Sequence, residues 1–70
     1  MLSAGEAVAR AEGLARDRGW DLATYELPVA ELDEGSWYVR FAGLPPAAPG
    51  DHLVVVVDAT TGAAELWPGR

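Results

Sequence analysis

Two features of this chain come nearest to a chemical motif: the stretch Asp58-Ala59-Thr60-Thr61-Gly62 and the single histidine, His52. A calcium loop needs oxygen donors at alternating positions and a bidentate glutamate at the twelfth. Here alanine stands where the second ligand belongs, and no glutamate occupies the twelfth position. A phosphate-cradling loop needs several glycines and opens a helix, whereas residues 63–67 read as a strand. A hairpin turn needs an aspartate that binds the amides ahead of it and a glycine that takes positive φ. The stretch supplies both, so it is read as a turn.

His52 opens a strand and has no serine or cysteine nucleophile near it in sequence, so a structural role is expected. Glu26 and Glu65 are candidates for a carboxylate pair on adjacent strands, although nothing in their spacing demands it. The glycine-rich dinucleotide fingerprint is absent. A single small helix leaves little room for a pocket of several hundred Å³. Neither catalysis nor a cofactor is expected.

Seventy residues make one domain, 1–70. A chain this short buries only about 60% of the surface its unfolded form exposes. Without cysteine it has neither disulfides nor a Cys/His zinc site to hold it, so apolar packing or a partner must do so. Eleven acidic residues stand against five basic ones, a net charge of −6 that argues against phosphate-dominated nucleic-acid binding and anionic membrane surfaces. A basic protein partner would instead be attracted. The first twenty residues carry charges throughout and lack the apolar core of an export signal, and no run approaches a membrane span. The expectation is a cytoplasmic location, or else a domain cut from a longer chain.

The elements that must position any site follow from periodicity. Residues 3–18 read as a helix. Ser3 and Glu6 form a capping box. Ala4, Ala7, Val8, Ala11, Leu14 and Ala15 share one face. Glu6–Arg10 and Glu12–Arg16 are spaced to pair, each worth a few tenths of a kcal/mol, and Gly19 ends the helix in the left-handed conformation. Asp21 to about Leu32 reads as a first strand, with Pro28 marking an edge or a bulge. After a turn at 33–36, Trp37-Tyr38-Val39-Arg40-Phe41 alternates as a second strand. Residues 52–57 and 63–67 complete four strands, joined after the second by a loop at 43–51. The fold class is α+β, one N-terminal helix packed on a four-stranded antiparallel meander in the order α-β-β-β-β.

That arrangement leaves a surplus of apolar surface. Leu53-Val54-Val55-Val56-Val57 does not alternate as a half-exposed strand should. Trp37, Val39 and Phe41 face one way and Tyr38 and Ala42 the other, while Leu66 and Trp67 also split between faces. One helix covers one face. The second face must be covered by loop 43–51, by a second copy or by another protein. Glu26, Glu31, Asp33 and Glu34 gather negative charge on the first strand and its turn. Such charges protect an edge strand from unwanted pairing, and they also suit docking of a basic surface.

The segments SAGEAVARAEGLA and LVVVVDATTGAAELW resemble the PepSY-type domain, which pairs a helix of this kind with a terminal Asp-x-x-Thr-Gly hairpin. GSWYVRF followed by LVVVVDATTG is also similar to small helix-plus-meander immunity proteins of bacterial polymorphic-toxin systems. The resemblance implies inhibition or regulation through protein binding. Its immunity branch implies an acidic cytoplasmic protein that neutralises a toxin, and its PepSY branch a homodimeric accessory domain. Under the first reading, the partner contact falls to Glu31, Asp33, Glu34, Trp37, Tyr38 and Trp67.

Overall fold

A computed structural model describes residues 1–44 and 52–68. Helix α1 spans Ala4–Asp17, and four strands follow: β1 Val29–Asp33, β2 Ser36–Ala42, β3 His52–Asp58 and β4 Ala64–Pro68. They form one antiparallel sheet in the order β1-β2-β3-β4, as the meander reading requires.

The ends of α1 are set by its own sequence. Ser3 Oγ accepts from the Glu6 amide at 3.2 Å, and Glu6 Oε1 accepts from the Ser3 amide at 2.9 Å. At the other end Gly19 takes φ +87. The Gly19 amide then donates to Arg16 O at 3.0 Å and the Trp20 amide to Ala15 O at 2.9 Å, closing a Schellman motif. Ala7, Ala11 and Ala15 are fully buried, and Val8 and Leu14 pack at their flanks. Such a small-residue stripe lets the helix lie close on the sheet. Ala4, expected on this face, is exposed. The expected Glu6–Arg10 and Glu12–Arg16 pairs do not close to ion-pair distance: among the described residues the one ion pair is Glu31–Arg40.

The start of the first strand is corrected. Residues 22–24 form a 3₁₀ turn, Leu22–Thr24, in place of an extended strand from Asp21. Asp21 is responsible: its Oδ1 accepts from the Ala23 amide at 3.1 Å, and its carbonyl accepts from Thr24 Oγ1 at 2.8 Å. A short polar side chain at this point offers the backbone a local alternative to the sheet. The chain touches the sheet at a Tyr25–Gly43 bridge before β1 begins. The register of β1, with Val29 opposite Arg40, would place Glu26 opposite Gly43. Tyr25 takes that place instead, a one-residue slip across Pro28 that leaves Leu27 91% exposed. Pro28 therefore marks an irregularity at the entry to an edge strand.

The β1–β2 hairpin turns on Glu34 and Gly35, with φ values of +49 and +81. This two-residue primed turn matches the twist of its strands. The core lies between α1 and the inward rows of the sheet: Val39 and Phe41 of β2, with Leu53, Val55 and Val57 of β3. Trp20, Tyr25 and Phe41 form an edge-to-face series at one end, with centroids 6.2 and 6.5 Å apart. At the other end the Leu2 amide donates to Ala59 O at 2.6 Å and the Ala59 amide to Gly35 O at 2.9 Å, so the chain start and both hairpin turns are tied together.

Candidate interaction face

Asp58 is a turn residue in the structure, as its sequence suggests. Its Oδ1 accepts from the amides of Thr60 and Thr61 at 2.8 and 2.9 Å, and these bonds hold the carboxyl below the usual aspartate range. The Gly62 amide closes back on Asp58 O at 2.8 Å, with Gly62 at φ +79. The Arg10 guanidinium lies over Gly62, where a Cβ would sit 2.8 Å from Arg10 Cζ.

The feature left over is the sheet face turned away from α1. Strand alternation and register place its residues in rows that run across all four strands. One row reads Glu31, Tyr38, Val56, Glu65. The next reads Val29, Arg40, Val54, Trp67. Asp33, Ser36 and Asp58 lie towards the turn end, and Ala42 and His52 towards the opposite end. Tyr38, Val54 and Val56 are half-buried by their neighbours alone, while Val29 is 60% and Trp67 50% exposed. Arg40 reaches diagonally to Glu31 at 3.7 Å. This face carries four carboxylates against one guanidinium.

Of the residues proposed for partner contact, Glu31, Asp33, Tyr38 and Trp67 share this face. Glu34 sits at the tip of the first hairpin, next to it in the chain. Trp37 lies on the opposite face, half-buried, with its indole N–H donating to Leu2 O at 2.9 Å. Val29, Val54, Val56 and Glu65 join the site without having been singled out for it. The run Leu53–Val57 carried the signal for the two valines, because the meander order dictates that alternate residues of this strand stand beside Tyr38. The suggested pairing of Glu26 with Glu65 is overturned: Glu26 precedes one edge strand and Glu65 lies on the other. Most of the loop proposed to cover the face, residues 45–51, lies outside the described residues.

Among the described residues no pocket opens, and no group of three or more His, Asp or Glu side chains gathers as for a metal ion. No helix among the described residues is long and apolar enough to cross a membrane. Comparison with protein-family models, curated proteins and solved structures finds no match to this chain.

Proposed function

We propose that this chain is a small protein-binding module that inhibits or neutralises a protein partner, acting as an immunity protein does towards its toxin. The observation that carries the reading is the open sheet face, where Tyr38, Val54, Val56 and Trp67 form an apolar centre with no covering element among the described residues. Monomeric domains seldom expose such a patch without using it. Aromatic anchors within a polar rim are the usual composition of a binding surface. Inhibition, as distinct from binding alone, is supported by the resemblance to immunity proteins and by the acidic charge that would speed encounter with a basic target.

The test uses the immobilised chain and a Tyr38→Ala/Trp67→Ala variant, each presented to extract of the source cell and to the purified product of the adjacent gene. The reading expects one protein to bind the parent chain, to be lost from the variant, and to lose its own activity at a one-to-one ratio. Equal retention by the two chains would refute the face. A bound protein that keeps full activity would refute inhibition.

A further inference from the structure

The charge pattern of the open face says what belongs on it. Resting on the proposed protein-binding function, we infer that the open face accepts a partner surface whose apolar centre is flanked by arginine or lysine side chains, and rejects a second copy of this chain. The row Glu31, Tyr38, Val56, Glu65 has a carboxylate at each end and apolar side chains between. Three interstrand spacings of roughly 4.8 Å put its two ends about 14 Å apart.

Two copies stacked face to face are related by a twofold axis lying between the sheets. An axis along the strands, centred on the sheet, lays β1 on β4 and so Glu31 over Glu65. An axis across the strands through this row lays β1 on β1 and Glu31 against its own equivalent. Either way carboxylates of like charge meet at the rim of the seam, which opposes association. The other charges on the face do not cure this. Arg40 is already engaged with Glu31, Asp33 adds a further carboxylate, Asp58 faces its own turn amides, and His52 stands beyond the apolar rows.

Edge-to-edge pairing is obstructed as well. Pro28 stands at the mouth of β1, Glu31 and Asp33 line that strand, and Pro68 removes an amide from β4. A basic surface with an apolar centre meets none of these obstacles and pairs with Glu31 and Glu65 at both ends.

A charge-inverted copy of the chain, Glu31→Lys/Asp33→Lys/Glu65→Lys, is the probe. It keeps the apolar centre and supplies cations at the required places. Circular dichroism establishes that it folds, and Glu31→Lys/Glu65→Lys replaces it if it does not. Sedimentation velocity then compares each chain alone with an equimolar mixture. The inference expects two monomers when separate and a one-to-one complex when mixed. That complex should weaken on the order of tenfold in high salt, as screened exposed ion pairs do. It should disappear when the acidic copy carries Tyr38→Ala/Trp67→Ala.

A parent chain that dimerises alone and loses dimerisation with Tyr38→Ala/Trp67→Ala would overturn the inference. So would a mixture of folded chains that stays monomeric, the result expected if residues 45–51 occupy the face. Failure here combined with loss of partner capture by Tyr38→Ala/Trp67→Ala would reject only the basic occupant. Unchanged capture by that variant would reject the face itself.

Discussion

The indole N–H of Trp37 donates to the carbonyl of Leu2 at 2.9 Å, joining β2 to the segment that precedes α1. The Leu2 amide is bonded in turn to Ala59 O at 2.6 Å, so a single residue fastens the chain start to β2 and to the β3–β4 turn. This explains why the largest aromatic residue of β2 belongs to the scaffold although its type suits an interface. Trp37→Phe keeps most of the ring but removes the donor. A loss of about 1 kcal/mol is expected, the usual worth of one such bond. Urea denaturation with an unchanged slope would confirm it. An unchanged midpoint would show that the bond contributes nothing.

Gly62 meets two demands at once. Its φ of +79 disfavours any residue with a Cβ, and a Cβ there would sit 2.8 Å from the Arg10 guanidinium carbon. Gly62→Ala is expected to cost about 1–2 kcal/mol from backbone strain alone. The guanidinium is the far end of a flexible chain and can move aside, so the steric part is the smaller one. Adding Arg10→Ala should therefore recover only a minor fraction, measured as the non-additivity of the double-mutant cycle.

Acid stability should depend on two carboxyls that accept backbone amides, Asp58 in the β3–β4 turn and Glu6 in the capping box. Both are held below their ordinary range, Asp58 first by the Thr61 amide and Glu6 first by the Ser3 amide. A group depressed in the folded state contributes its stability above its unfolded value, near 4 for carboxyls, and loses it as pH falls through the folded value. The chain should thus show little dependence on these two groups at neutral pH and a decline below about pH 4. Asp58→Asn retains a side-chain acceptor but cannot titrate. Its thermal midpoint, followed from pH 7 to pH 2, should fall less steeply than that of the parent. Parallel curves would exclude Asp58 as a contributor.

The stripe Ala7, Ala11, Ala15 fixes how near α1 approaches the sheet. Ala11 sits at its middle with no accessible surface, so Ala11→Leu must push the helix outward or distort the sheet beneath it. A destabilisation of about 1–3 kcal/mol is expected by chemical denaturation. A stabilised variant would mean that the interface holds unfilled space.

Much of the fold was legible because local signals agreed with one another. Ser3 and Glu6, Gly19, the Glu34-Gly35 pair and Asp58 with Gly62 each act over a few residues, and the structure uses all of them where they stand. The strand at Asp21 failed for the same physical reason that those succeeded. Asp21 caps a short turn through its own carboxylate, and the apolar residues after it suggested a strand that the cap pre-empted. The site was only partly legible. Strand alternation separated Tyr38 from Trp37 and Trp67 from Leu66 without saying which of each pair faces away from α1, and the row Glu31, Tyr38, Val56, Glu65 exists only once four registers are fixed together. Arg10 against Gly62 carried no signal at all, because the contact joins a helix surface to a turn some fifty residues later.

The way α1 is seated also bears on the order in which the molecule assembles. The hairpins are closed by short turns, so β1–β2 and β3–β4 pair between near neighbours, whereas α1 packs across all four strands, two of them at the far end of the chain. Bringing such remote segments together costs more loop entropy, and an alanine face returns little apolar burial for it. Docking of the helix therefore belongs after the transition state, once the meander exists to receive it. Truncating Ala11 to glycine would then accelerate unfolding while leaving the folding limb of the chevron almost unmoved, and a slowed folding limb would place the helix in the nucleus instead.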